Sequence, residues 1–153
     1  MGARLIINLE KLYLSLKKLD LHNANINDYY SFSHELGIVP KNLNRIQNKA
    51  FGIECNYYEL NGIDFKKGCY VGQENTARIK LKNKLTKRVL PIDIVEGKLH
   101  EGEGIFNNDN EIGKVLINEE YPFALIKFLD KNFDESSVSV SYTHLRAHET
   151  RHY

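Results

Sequence analysis

The sequence predicts an α+β fold in two parts: a mixed α/β segment over residues 1–82, then a small antiparallel β-barrel over 83–139. Three observations predict it. Leu9, Leu12, Leu16 and Leu19 recur at spacings of 3, 4 and 3, the helical period, and only the first part carries such patterns. After Asn83, short apolar stretches recur at roughly 8–12 residues, the rhythm of a small sandwich or barrel. Between the two lies a basic run without apolar period, Lys80, Lys82, Lys84, Lys87 and Arg88.

Taken in order, Leu5-Ile6-Ile7 reads as a short buried strand beginning near Ala3, and the leucine helix follows. The polar cluster His22 to Asp28 reads as a loop, with Asp28 capping a helix that runs to Leu36. Gly37 suits the position after that helix, and Val39-Pro40 stops it. Lys41 to Gly52 is polar and weakly patterned, and Glu54 to Phe65 reads as mostly irregular. Gly68 and Gly72 bracket a tight segment ahead of a short helix over Gln73 to Leu81. Val89 to Val95 is strand-like, with Leu90, Ile92 and Ile94 on one face, and Pro91 points to an edge strand or a strand start. Gly102 and Gly104 allow a bend before Ile105-Phe106, and Asn107 to Asn110 is a turn cluster. Ile112 to Asn118 and Phe123 to Leu129 read as a strand pair across Glu119 to Pro122.

Composition narrows the function classes. At 42% hydrophobic and 27% charged the chain has the makings of a folded core. A net charge of +1 gives no global reason for nucleic-acid binding or for an acidic membrane partner. No apolar run approaches the roughly 18 residues of a membrane helix, and no secretory h-region precedes a cleavage site. The two cysteines, Cys55 and Cys69, do not make a disulfide framework, so a reducing compartment is expected.

The last fourteen residues differ from the rest. Val140 to Tyr153 hold two Arg, no Lys and three of the six His, and without them acidic and basic residues balance. Val140-Ser-Tyr-Thr-His-Leu-Arg-Ala-His-Glu-Thr150 looks like the in-frame translation of a common transposase-based sequencing adapter. Residues 140–153 are therefore set aside as not native. His144, His148 and His152 would share a helix face and resemble a metal site, but they go with the tail, and no metal site is expected. The corollary is that the native chain should extend beyond this one.

The densest cluster of chemically capable groups is Lys66-Lys67-Gly68-Cys69-Tyr70-Val71-Gly72-Gln73-Glu74-Asn75-Thr76-Ala77-Arg78. Two glycines flank the thiol, a lysine precedes it by two residues, and a helix N-terminus is expected just after it. A cation and a helix N-terminus both favour thiolate over thiol. Glu74 and Arg78 stand at i, i+4, where they can pair. Residues alone leave two readings open, a reactive or ligand-binding cysteine and a buried structural one.

Lys67-Gly68-Cys69-Tyr70-Val71-Gly72-Gln73-Glu74, followed by Ala77-Arg78, resembles the signature K-G-C-[YF]-x-G-Q-E-x-x-[AS]-R of the YgfZ family. These are folate-binding proteins of iron–sulfur cluster assembly or repair, related to the T-protein of glycine cleavage. Glu54-x-Asn56 and Leu60-Asn61-Gly62-Ile63-Asp64-Phe65 are similar to the family's approach to that motif, with Tyr57-Tyr58 in place of its usual Leu-Asp. Gly2 to Ile7 and Asp28 to Gly37 are similar to a strand and a helix of the family, with His34 near a common Arg.

The resemblance implies a T-protein-like cloverleaf, of which this chain would hold the later part of the second lobe (1–82) and the third-lobe barrel (83–139). It implies that Cys69 is the functional thiol, with Lys67, Gly68, Tyr70, Gly72, Gln73, Glu74 and Arg78 as its motif shell and Glu54 and Asn56 at the folate cavity. Tetrahydrofolate is the implied cofactor, much of its site lying outside this chain. Reduced folate and the iron–sulfur assembly machinery or its client enzymes are the implied partners, with an indirect effect on iron–sulfur-dependent tRNA modification. A bacterial cytoplasm is the first expectation for location and the mitochondrial matrix the alternative. An enzyme in the usual sense is not expected.

Three other functions compete. A folate-dependent aminomethyltransferase of T-protein type needs no thiol, so Cys69 favours the YgfZ reading. An RNA-binding module could use the lysine run, which reads more simply as a solvated linker between lobes. Cluster ligation by Cys55 and Cys69 falls short of the four ligands a cluster usually takes, and Cys55 beside Ile53 reads as a core residue.

Overall fold

The computed structural model describes residues 6–68, 71–81, 85–107 and 110–127, and the backbone of two further strands at 138–140 and 143–147. Three α-helices precede the strands: α1 (Leu9–Lys18), α2 (Ile26–Glu35) and α3 (Gln73–Leu81), with a 3-10 turn at Leu43–Arg45. The strands are β1 (Lys87–Glu96), β2 (Gly104–Asn107), β3 (Asn110–Ile117), β4 (Phe123–Lys127), β5 (Val138–Val140) and β6 (Thr143–Ala147). The expected α+β class and antiparallel barrel are both present. The sheet runs in the order β1-β4-β3-β2-β5-β6 and closes on itself.

Two apolar layers hold this arrangement. Leu90, Ile92, Leu99, Ile105, Ile112, Val115, Ala124 and Ile126 fill the barrel. On its outer face Val89, Leu116, Ile117 and Phe123 pack with Ile46, joined by Val39, Ala50, Cys55 and Leu125. The split follows the period-2 alternation of strands: Ala124 and Ile126 of β4 point in, Phe123 and Leu125 point out. In β3 a register shift between Val115 and Ile117 breaks the alternation and turns both Leu116 and Ile117 to the outer layer. The outer layer fastens the 39–55 segment to the barrel. Phe123 has no exposed surface, and truncating so buried an aromatic costs about 3–5 kcal/mol.

Helix ends follow local chemistry, with one correction. The N-cap of α2 is Asn25, and Asp28 sits at the third helical position, its carboxylate accepting the Asn25 N–H at 3.1 Å in a capping box. The helix thus starts earlier than expected, because Asn25 and Asp28 satisfy two orphan N–H groups together. Its end is as expected. Gly37 takes φ +69°, and the Gly37 and Ile38 amides donate to the His34 and Ser33 carbonyls, a Schellman motif.

Three further expectations change. Ile6 and Ile7 are not in a strand, and Ile6 is 98% exposed; the expected strand start at Ala3 lies outside the described residues. Pro91 is neither at an edge nor at a start. It sits within β1 at the handover between partners, β4 pairing with Lys87 to Pro91 and β6 with Ile92 to Glu96. Its missing N–H falls where one ladder ends, and the next amide, Ile92, donates to the Pro122 carbonyl at 3.1 Å. Ile94 leaves the face shared by Leu90 and Ile92 and is 41% exposed, past this handover.

Residues 143–147, within the segment set aside as foreign, supply β6. Main-chain pairing asks only for an open strand edge, so this place on β1 is open to any sequence able to extend.

Candidate functional site

The site is built on the turn-rich stretch between Gly52 and Asn61, which reverses at Asn56 (φ +61°) and Asn61 (φ +57°). Asparagine tolerates this left-handed backbone better than most residues. The stretch lies along the first half of β1. The Val89 N–H donates to the Glu54 carbonyl at 2.8 Å, and the Asn56 carboxamide donates to the Val89 carbonyl at 2.9 Å and to the Gly37 carbonyl at 3.4 Å. The Glu54 carboxylate accepts the Phe51 N–H at 2.8 Å and lies 3.6 Å from the Lys87 ammonium.

Both residues expected at a folate cavity are therefore buried and engaged with the fold itself. They shape the floor of the site through the backbone. Cys55, between them, is half-buried against the outer apolar layer, as expected of a core residue. Burial, and then the Glu54 charge, push its thiol up to about 11, which keeps it protonated and unreactive at neutral pH.

Arg88 completes the floor. One guanidinium nitrogen lies 3.5 Å from the Asn56 carboxamide oxygen, and the other meets Glu59 at 2.5 Å. The second Glu59 oxygen is buried without a partner among the described residues. A solvated linker is the simpler expectation for Lys87 and Arg88; they instead open β1 and pair with Glu54 and Glu59. Glu59 carried no signal in the sequence, since its partner lies 29 positions away and neither residue belongs to a motif.

The turn stretch leads on to the motif. Tyr58 and Phe65 meet edge to face at 5.2 Å, and the Lys80 ammonium of α3 lies 3.9 Å from the Tyr58 ring centre. This cation–π contact ties α3 to the turn stretch. Asp64 accepts the Lys66 N–H at 2.8 Å and begins the motif loop. Lys67 and Gly68 are exposed. Cys69 and Tyr70 lie outside the described residues. Val71 is fully exposed, and Gly72 takes φ +85°, the left-handed conformation for which glycine was singled out.

Gln73 and Glu74 open α3 and Arg78 falls in its last turn, charges that suit the helix dipole. No residue of α3 is buried. The motif shell thus sits on a short exposed helix and the loop before it, held by the Tyr58–Phe65–Lys80 contact. Among the described residues no group of three or more His, Cys, Asp or Glu could hold a metal ion. No described helix is long and apolar enough to cross a membrane.

No family model matches the chain. It is similar to proteins named mitochondrial iron–sulfur cluster assembly factor IBA57 or its homologue. The Neurospora crassa homologue is 38% identical over 90 residues, 59% of this chain and 20% of that protein. The Dictyostelium discoideum homologue is 30% identical over 93 residues, 60% of this chain and 23% of that protein. The Mus musculus factor is 35% identical over 76 residues, 50% of this chain and 21% of that protein. The chain thus spans about a fifth of the length of these curated relatives.

Proposed function

We propose that this chain is part of a mitochondrial iron–sulfur cluster assembly or repair factor that works through the Cys69 thiol on the loop ahead of α3. The observation that carries the reading is the similarity to assembly factors named as such, in a chain that also bears the Lys67 to Glu74 motif. Those relatives are named mitochondrial, which favours that compartment over the bacterial cytoplasm. The assembly machinery or its client enzymes are the partners, and any effect on tRNA modification follows from client enzymes that need clusters.

Exposed Lys67, Gly68 and Val71 flank Cys69 in sequence, which suits a thiol that must meet another macromolecule. A cationic neighbour, Lys67, and the α3 N-terminus favour its thiolate, whereas Cys55 is held protonated by burial. Reduced folate is the proposed ligand. Tyr57, Tyr58 and Phe65 are exposed in the stretch leading to the motif and offer rings on which a pterin can stack. The folate-dependent aminomethyltransferase gains no observation in its favour.

The test is complementation. Cells depleted of their own assembly factor receive the full coding sequence containing this chain, as wild type or as Cys69→Ser, and iron–sulfur enzyme activity is measured at equal protein levels. Wild type should restore activity and Cys69→Ser should lower it at least tenfold. Equal activity of the two overturns the thiol mechanism.

A further inference from the structure

We propose that Arg88 is a positioning residue that sets where the motif-bearing unit, residues 57–68 and 71–81, stands on the barrel. The proposal rests on the thiol-loop reading above. The helix of that unit buries none of its residues fully, so apolar packing holds it only weakly. Within it the Lys80 ammonium lies on the Tyr58 ring, with Phe65 against Tyr58. The next residue, Glu59, carries the link outward, and its partner is Arg88 of β1 at 2.5 Å.

Arg88 also reaches Asn56, the fully buried residue that fastens the turn stretch to Val89 and Gly37. One planar guanidinium therefore orients both ends of the 56–59 turn, and a planar fork fixes direction as a point charge does not. The side chains of Arg88 and Glu59 are 24% and 12% exposed. A pair so desolvated is a weak source of net stability, and one Glu59 oxygen remains without a partner. An apolar pair would pack there without an orphaned oxygen. What the ion pair adds is a defined geometry between β1 and the motif unit.

The test compares wild type with Arg88→Met, Arg88→Lys and Glu59→Gln by NMR. The readouts are amide exchange at Leu60 and Gly62, which donate to the Asn56 and Tyr57 carbonyls, and the ring-current shift of the Lys80 ε-methylene over Tyr58. Arg88→Met should speed exchange at those amides at least fivefold and reduce the Lys80 shift, while β3 and β4 amides stay unchanged. Glu59→Gln, close to isosteric, should give the same pattern at smaller amplitude, and Arg88→Lys should recover most of the Lys80 shift. Unchanged exchange, equal acceleration in β3 and β4, or an Arg88→Lys spectrum like that of Arg88→Met overturns the proposal. These readouts do not depend on the thiol. A functional Cys69→Ser protein would remove the proposed function and leave the placement by Arg88 standing.

Discussion

The Asn56 carboxamide donates to the Val89 carbonyl at 2.9 Å, while the Val89 N–H donates to the Glu54 carbonyl at 2.8 Å. Val89 faces Leu125 in the β1–β4 ladder, and both of its main-chain groups turn away from β4 to meet the 54–56 turn. The turn therefore acts as a substitute strand on the first half of β1, where β6 does not pair. It blunts an edge that would otherwise present unpaired groups, and it brings the chain that leads to the motif onto the barrel.

Asn56→Ala removes the donor that satisfies the Val89 and Gly37 carbonyls. Asn56 is fully buried, so the loss should lower stability by about 1–3 kcal/mol. Asn56→Asp should be worse, since it sets a carboxylate against two carbonyl oxygens. Urea unfolding midpoints at constant m-value check both, and an Asn56→Ala midpoint equal to wild type would show that this clamp holds nothing.

Cys55 gives a pH prediction. Its folded thiol pKa is pushed from an ordinary 9.0 to about 11, by burial first and the Glu54 charge second. A raised acid pKa means that the folded state disfavours the thiolate. The stability this contributes is complete below about pH 9 and is lost as pH climbs toward about 11. Stability measured across that window should fall less steeply in Cys55→Ala than in wild type. In native protein at neutral pH, iodoacetamide should modify Cys69 and leave Cys55 untouched; the reverse order would contradict the burial of Cys55.

Glu101 gives the opposite sign. Hydrogen bonds from Lys49 and Arg45 hold its carboxyl below the usual carboxylate range, and Arg45 also meets Glu119 at 2.9 Å. A lowered pKa contributes stability that is present above the ordinary carboxylate pKa and is lost as pH falls through the folded value. The cluster is on the surface, so salt screens it. Wild type should exceed Glu101→Gln slightly in stability at neutral pH and low salt. The difference should vanish in acid and in about 1 M salt. A difference that survives both would point to packing.

Much of the fold was legible because it depends on local pattern. The leucine helix, the stop at Gly37, the helix after Gly72 and the strands with Leu90, Ile105 and Phe123 follow from period and from turn residues. The illegible parts depend on contacts distant in sequence. Pro91 breaks a strand only if one partner spans it, and here two partners divide β1 between them. Ile6-Ile7 carries a strand composition, but among the described residues no strand pairs with it and Ile6 is left exposed. The motif and Glu54 and Asn56 were visible as residues. That the last two serve the backbone, and that Arg88 and Glu59 join them, depends on a turn folding back against a strand about thirty residues on.

The tail offers a test of its own. Among the described residues the apolar layers run to Ile126, and residues 143–147 contribute strand β6 through its backbone pairing with β1. If residues 140–153 are a foreign sequence lodged on an open edge, they add ladder hydrogen bonds and little else. Each such bond is worth about 0.5–1.5 kcal/mol net before the entropy of ordering the strand is subtracted. A chain ending at residue 139 should then unfold within about 1 kcal/mol of the full chain, with β3 and β4 amides and the Lys87 to Leu90 amides of β1 equally protected. It should also exchange faster at Ile92 to Glu96, the half of β1 that β6 covers. A loss of several kcal/mol on truncation, spread over the whole barrel, would mean that the tail is a native strand and that residues 140–153 belong to the fold.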